Sequence, residues 1–229
     1  MKALITDLTR VYDYHACAAG IDMDTGKRVR PVQLGRLSSR LLASRGGPLD
    51  IGNVVDFGRC RPCGKPPEVE DVRFDQRGVR LLKSMTPSDF MAMVSRAAVD
   101  SLDVIGSALV RHGSALTTDS GKGSCSLVIL RAQELPTITI TNGRLRFRWL
   151  DGVWLSVTDV RLYQHDLATP DEAKLASLKR ALQSAGDVYL SFGLGRPWKQ
   201  PGDDRERHYL QLNNVHVPDW PDWRLSPER

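Results

Sequence analysis

Arginines occupy alternating positions in one short segment of the chain. Arg144, Arg146 and Arg148 are separated by the apolar residues Leu145 and Phe147. Because side chains alternate between the two faces of a strand, a strand here places the three guanidinium groups on one face and the apolar groups on the other. Three like charges at this spacing repel one another, and a nucleic-acid backbone would relieve that repulsion. The alternative is a solvated outer face whose arginines pair with acidic residues on a neighbouring strand.

Two further segments combine basic residues with features that suit nucleic acid. Arg28 and Arg30 repeat the alternating pattern near the start of the chain, although an ordinary exposed strand face explains these two residues more simply. Residues 191–198 (SFGLGRPW) end a predicted strand with two glycines, Arg196 and Trp198. Glycines let a backbone approach phosphate closely, Arg196 could bind the anion, and Trp198 could stack on a base. A bulged strand end with a packed tryptophan is the alternative.

The cysteines raise the question of a metal. Cys60 and Cys63 have the C-x-x-C spacing of half a zinc knuckle, but no second C-x-x-C follows. The other candidate ligands are Cys17, Cys125, His15 and His112. They could complete a site only if the fold brought them together. We therefore expect no cofactor, with zinc at Cys60 and Cys63 as the alternative to free thiols in a loop.

The sequence contains no recognised catalytic motif. It lacks a G-x-S-x-G segment, a Walker A loop, an H-E-x-x-H segment and a deaminase signature. These absences favour a binding protein over an enzyme without deciding between them.

Composition narrows the class of protein. The chain has 229 residues with 32 Lys and Arg against 27 Asp and Glu, a net charge of +5, and 24 of its 32 basic residues are arginine. That balance permits a nucleic-acid partner without requiring one. The 41% hydrophobic and 26% charged residues are typical of a globular protein. We expect no membrane span, because no run approaches about 20 apolar residues, and a reduced, cytoplasmic protein, because the start resembles no signal peptide.

The order of predicted elements indicates two β domains. Short strands recur in both halves of the chain, and the turn at residues 22–27 and the Asn142–Gly143 pair predict hairpins. Thr86 and Pro87 predict the start of a helix, a second helical stretch is expected at about residues 101–110, and Thr169 and Pro170 predict a helix at about 170–185. The sequence thus predicts a mainly β fold with α insertions: a small barrel over residues 1–83, a helical linker over 84–120, and a second barrel over 121–229.

Several segments together resemble one known family. Residues 15–22 (HACAAGID), the turn at Thr25–Gly26 and residues 28–32 (RVRPV) resemble the N-terminal signature of the dual OB-containing domain family, with Arg28 and Val29 in place of its aromatic–Ile pair. Pro67, Glu68 and Asp71 resemble its Pro-Glu-Asp segment. Residues 193–197 (GLGRP) and 208–213 (HYLQLN) are similar to its last two motifs. The resemblance implies two OB-like barrels, in prokaryotic proteins suspected of roles in conflict with mobile elements.

Three hypotheses about function follow. The first is a non-catalytic module that binds single-stranded DNA or RNA, because OB barrels bind single strands through basic and aromatic residues on an open sheet face. Its expected contacts are Arg28, Arg30, Arg144, Arg146, Arg148, Arg196 and Trp198. The second is a sensor or modifying enzyme for a nucleotide or modified base. Its expected pocket between the barrels contains Arg30, Glu68, Arg196, Gln211 and Asn213. The third is a scaffold that binds an operon-encoded protein through the aromatic tail at residues 220–223 (WPDW).

Overall fold

The chain folds into two curled β-sheets with two α-helices among its described residues. The computed structural model describes residues 1–11, 15–33, 37–106, 109–149 and 152–226. The first sheet contains β1 (Lys2–Val11), β2 (His15–Asp22), β3 (Arg28–Val32), β4 (Leu37–Ser38), β5 (Asn53–Asp56), β6 (Arg61–Pro62), β7 (Asp71–Arg73) and β8 (Arg80–Ser84). The second contains β9 (Val110–His112), β10 (Ala115–Asp119), β11 (Leu127–Arg131), β12 (Thr137–Thr141), β13 (Arg144–Arg148), β14 (Trp154–Val157), β15 (Tyr189–Leu194) and β16 (Arg207–His216). The helices are α1 (Pro87–Ala97) and α2 (Glu172–Ser184). This architecture confirms the predicted mainly β fold with two OB-like units.

The first sheet is built on the long antiparallel pair of β1 and β2. Its strands run in the hydrogen-bonded order β6-β7-β3-β2-β1-β5-β8, with β4 joined to β2, and β3 and β7 are parallel. The turn between β2 and β3 forms as predicted, because Asp22 accepts hydrogen bonds from the backbone of Asp24 and Thr25 and Gly26 adopts a φ of +70°.

The second sheet carries the arginine strand near one edge. Its order is β11-β15-β16-β14-β13-β12, with β10 joined to both β16 and β9, and β14 and β16 are parallel. Asn142 and Gly143 turn the chain from β12 to β13 with φ values of +50° and +69°, which confirms the predicted hairpin. Strands β9 and β10 fall within residues 84–120, the predicted helical linker, and β10 pairs with β16.

The helix predictions are partly confirmed. Thr86 caps α1 by accepting a hydrogen bond from the backbone of Asp89, and Pro87 occupies the first turn, as expected. The predicted cap of α2 is wrong: Asp171 caps it, because the Thr169 hydroxyl donates instead to Asp166 at 2.6 Å. The helix expected at residues 101–110 is also wrong. Among residues 101–106 and 109–110, which the structure describes, the only helical element is a 3-10 turn over Leu102–Ile105, and Gly106 ends it with a φ of +101°.

The two sheets share an extensive interface. β1 is buried on both faces because it also packs against β16, where the backbone of Leu8 donates to Asn214 Oδ1 at 2.9 Å. Glu70 reaches from the first barrel to the start of β11 and accepts hydrogen bonds from Ser126 N (2.9 Å), Ser126 Oγ (2.8 Å) and Leu127 N (3.1 Å). The barrels are therefore held together by buried polar contacts as well as by apolar packing.

The C-terminal segment folds back over both barrels. Arg161, which is 1% exposed, pairs with Asp159, donates to the Trp223 carbonyl at 2.7 Å and lies over the Trp220 ring at 4.5 Å. Trp220 and Trp223 are 1% and 8% exposed. The aromatic residues that motivated the protein-partner hypothesis therefore pack against this chain itself. Among the described residues, no helix is long and apolar enough to cross a bilayer.

Candidate nucleic-acid interface

The arginine strand β13 has the geometry that its sequence predicted. Leu145 and Phe147 are buried, while Arg144 and Arg148 are exposed and Arg146 is half-buried. The tight hairpin fixes the alternation, so the three guanidinium groups lie on one face of the second sheet.

The neighbours of these arginines are neutral. On β12, Thr141, Thr139 and Thr137 lie opposite the three arginines in order, and on the other side Arg146 donates to Ser156 Oγ at 3.0 Å. Within the part of the chain that the structure describes, no carboxylate lies within ion-pair distance of them. The alternative of a face neutralised by acidic neighbours thus finds no support in these contacts.

Trp154 adds an aromatic ring to this face, and the sequence analysis did not single it out. It lies directly opposite Arg148 on the next strand and is 36% exposed, whereas Leu155 and Val157 on the same strand point into the core. An exposed aromatic ring beside a cation is the arrangement on which bases stack. The sequence could have indicated this ring, because Trp154 alternates with apolar residues that face the core and therefore points outward.

One rung of paired residues connects the arginine strand to the interface between the barrels. Arg146 pairs with Ser156 on β14, Ser156 with Gln211 on β16, and Gln211 with Gly193 on β15. Residues paired in this way project from the same face of a sheet. The open basic face and the residues around Gln211 therefore form one continuous surface.

A cleft of about 630 Å³ lies between the barrels at the end of this surface. The first barrel contributes Thr9 and Arg30 among other residues, and the second contributes Ser156, Thr158, Arg196, Gln211 and Asn213. Four residues of the predicted pocket, Arg30, Arg196, Gln211 and Asn213, thus line one cavity, and the fifth, Glu68, contacts two of them.

The two cleft arginines are paired with two carboxylates. Arg30 Nε lies 2.6 Å from Asp71, and Arg196 bridges Glu68 (2.6 Å) and Asp71 (2.8 Å). Arg196 comes from the second barrel and the carboxylates from the first, so the cluster also joins the barrels. Burial opposes the charge on Arg196, but Asp71 and Glu68 outweigh it and raise its pKa above the ordinary value. The cluster is neutral as a whole.

Arg28 lies apart from both the open face and this cluster. Its guanidinium group pairs with Asp7, which is completely buried, and donates to Thr6 Oγ1 at 2.6 Å. Burial alone would raise the pKa of Asp7, but Arg28, His216 and the Thr6 hydroxyl together outweigh it, and the pKa falls below the ordinary value. The alternation of Arg28 and Arg30 was correct as a strand pattern, but both side chains point toward the interior of the molecule.

Glycines form the floor beneath the two amide side chains of the cleft. A Cβ atom at Gly193 would lie 2.3 Å from Asn213 Nδ2, and one at Gly195 would lie 3.2 Å from Gln211 Nε2. The amides therefore rest directly on the backbone of β15 and its continuation. This close approach gives a structural reason for the two glycines before Arg196, for which the sequence suggested either an approach to phosphate or a bulged strand end.

Trp198 lies on the surface beside β16. It is 54% exposed, and its ring centroid is 5.8 Å from that of Tyr209. Tyr209 is two residues from Gln211 on the same strand, so this aromatic pair lies on the other side of Gln211 along β16 from Asn213.

The cysteine pair lies at the rim of the first barrel. Cys60 is half-buried with its Sγ near the carbonyl oxygens of Phe57 and Gly58, and Cys63 Sγ lies 3.6 Å from the carbonyl oxygen of Asp71. Burial raises the pKa of the Cys60 thiol. The described residues contain no group of three or more His, Cys, Asp and Glu side chains placed to hold a metal ion. Zinc binding at Cys60 and Cys63 stays an untested alternative to free thiols.

One buried pair resembles part of a hydrolase triad. Ser191 Oγ lies 3.0 Å from His216 Nε2, but the two residues are 0% and 1% exposed. A substrate has no path to this hydroxyl, so the pair serves packing between β15 and β16.

Two curled, mostly antiparallel sheets, one with an open basic face, define an OB-type module. The chain belongs to the dual OB-containing domain family, whose model matches residues 10–215. The resemblance seen in the short motifs is thereby confirmed over nearly the whole chain. No curated protein and no solved structure matches the sequence.

Proposed function

We propose that this protein binds single-stranded nucleic acid on the face of β13, as a binding module without catalysis of its own. The observation that carries the proposal is the row of Arg144, Arg146 and Arg148 among neutral neighbours, with no ion pair to a described carboxylate. Trp154 on the same face supplies a ring for base stacking. Following the family resemblance, we also propose that the protein acts in the prokaryotic cytoplasm as part of a defence or mobile-element system.

Binding of short DNA and RNA oligonucleotides at several salt concentrations tests the proposal. Each phosphate contact to a single strand adds roughly 0.7 to the slope of log affinity against log salt, so Arg144→Ala/Arg146→Ala/Arg148→Ala should lower that slope by about 2. The matched control is Arg77→Ala/Arg96→Ala/Arg180→Ala, which removes the same charge from exposed positions on other elements.

The control should lose much less affinity than the β13 variant. Equal losses of affinity in the two variants would mean that net charge, and not this face, binds the oligonucleotide. Unchanged binding by the β13 variant, or binding by wild type that does not respond to salt, would overturn the proposal. Parallel DNA and RNA series would also show which of the two the face prefers.

A sensor or modifying enzyme for a nucleotide or modified base is the second candidate. The cleft favours it, because Arg30, Arg196, Gln211 and Asn213 converge there. A ligand that binds only the folded state raises the melting temperature by mass action. Stabilisation by mononucleotides, together with no binding of oligonucleotides, would select this candidate over the first.

A further inference from the structure

We propose that the cleft between the barrels receives the base, and not the phosphate, of one nucleotide in the strand bound on β13. The inference rests on the proposed function, and it assigns a role to Gln211 and Asn213 as the residues that contact the edge of that base.

The charges of the cleft argue against a phosphate. Arg30 and Arg196 are compensated by Glu68 and Asp71, so this cluster offers an incoming anion no net positive charge. Arg10 also lines the cleft, but its guanidinium group lies 4.3 Å over the Tyr163 ring and donates to the Leu167 carbonyl. Arg10 has no ion pair with a described carboxylate, but these two contacts engage its guanidinium group. Arg144, Arg146 and Arg148, which have no such ion pair either, lie on β13 outside the cleft.

The amides of the cleft suit an uncharged, planar, polar ligand. Asn213 is only 7% exposed; its Oδ1 lies 3.4 Å from Thr158 Oγ1, and its Nδ2 has no hydrogen-bond partner among the described residues. Gln211, which is half-buried, likewise makes no side-chain hydrogen bond within the described chain. An amide offers one acceptor and two donors, the groups that pair with the donors and acceptors of a base edge.

The position of the cleft relative to β13 connects the two sites. Gln211 is two strands from Arg146 on the same rung, which corresponds to about 10 Å at the usual strand spacing. A single-stranded nucleic acid whose phosphates lie along β13 therefore has its bases within reach of β14 and β16. The volume of about 630 Å³ accommodates a base.

Base identity is the measurement that separates cleft recognition from stacking. Stacking on Trp154 or Trp198 tolerates every base, whereas hydrogen bonds to a base edge do not. We therefore expect wild type to discriminate among homopolymers of the four bases, with the best and worst differing on the order of tenfold. Gln211→Met keeps the length of the side chain and removes the amide, so it should abolish most of this difference while leaving the salt slope unchanged.

Controls make each outcome decisive. Gln183→Met, an exposed change on α2, should behave as wild type, and Asn213→Leu repeats the test at the second amide. A preference retained in both amide variants, or no preference in wild type that still shows salt-dependent binding, overturns the inference and leaves the proposed function standing. Absence of any oligonucleotide binding overturns the proposed function itself. Free nucleosides provide the last test. If they raise the melting temperature of wild type but not of Gln211→Met, while oligonucleotides show no base preference, the cleft binds the base of a free ligand and the inference about a bound single strand is overturned.

Discussion

At the scale of single residues, the arginines show why charge alone does not reveal function. Arg28 is neutralised by a buried Asp7, Arg196 by two carboxylates of the other barrel, and Arg146 only donates to a serine hydroxyl. The sequence predicted that each lies in or near a strand. It could not predict their partners, because Asp71 and Glu68 meet Arg196 only after two distant segments have folded against each other.

His216 is a residue whose burial has a consequence for stability. It is fully buried, and burial lowers its pKa from 6.5 to about 3. In the unfolded chain it binds a proton near pH 6.5, whereas the folded state resists protonation, so the unfolded state gains as the pH falls through this range.

We therefore expect this one histidine to reduce the free energy of unfolding by about 2 kcal/mol between pH 7 and pH 5. Denaturant unfolding of wild type and His216→Gln at both pH values measures it, and the variant should show a smaller loss. His165→Gln, at an exposed position, should follow wild type. A loss of the same size in His216→Gln would show that other groups cause the acid sensitivity.

At the scale of elements, local signals were predictable and packed arrangements were not. The hairpins at residues 22–27 and 142–143 and the start of α1 follow from turn and cap residues that act within a few positions. The expected helix at 101–110 failed because Gly106 stops it after one turn. The floor formed by Gly193 could not be foreseen either, since it depends on β15 pairing with β16.

The close approach of Gly193 to the Asn213 amide leads to a prediction about β15. In Gly193→Ala the new methyl group would overlap the Asn213 amide, which is buried and has little room to move, so the variant should lose about 1–3 kcal/mol of unfolding free energy. Gly186→Ala, where a Cβ meets nothing within 4 Å, should be as stable as wild type or slightly more stable. Denaturant unfolding measures both, and equal stability of the two variants would contradict the close approach.

At the scale of the whole molecule, the contacts between the two barrels lead us to expect that they unfold as one unit. Buried hydrogen bonds cross between them at Glu70 and at Asn214, and the C-terminal segment covers both. The sequence predicted two barrels but not their contact, because none of these side chains follows a local pattern. The cleft and its ion-pair cluster exist only in this joined state.

Substitutions of Glu70 test how strongly the contact between the two barrels stabilises the protein. Glu70→Ala removes the acceptor for three donors at the start of β11, and we expect a loss of ~2–4 kcal/mol. Glu70→Gln keeps one acceptor oxygen and should lose less. Wild type should unfold in a single transition by both circular dichroism and tryptophan fluorescence. Two separate transitions in wild type would show that the barrels fold independently.

The folded-back C-terminal segment also sets an order of events during synthesis. The ring of Trp223 fills the space above Gly52 and packs against Phe90, and the backbone of Leu225 and Ser226 donates to Asp50 at 2.7 and 3.0 Å. The ribosome makes the first barrel long before it makes these residues. We therefore expect a nascent chain halted before residue 218 to leave an apolar hollow open beside Asp50, accessible to chaperones and proteases until residues 218–226 close it.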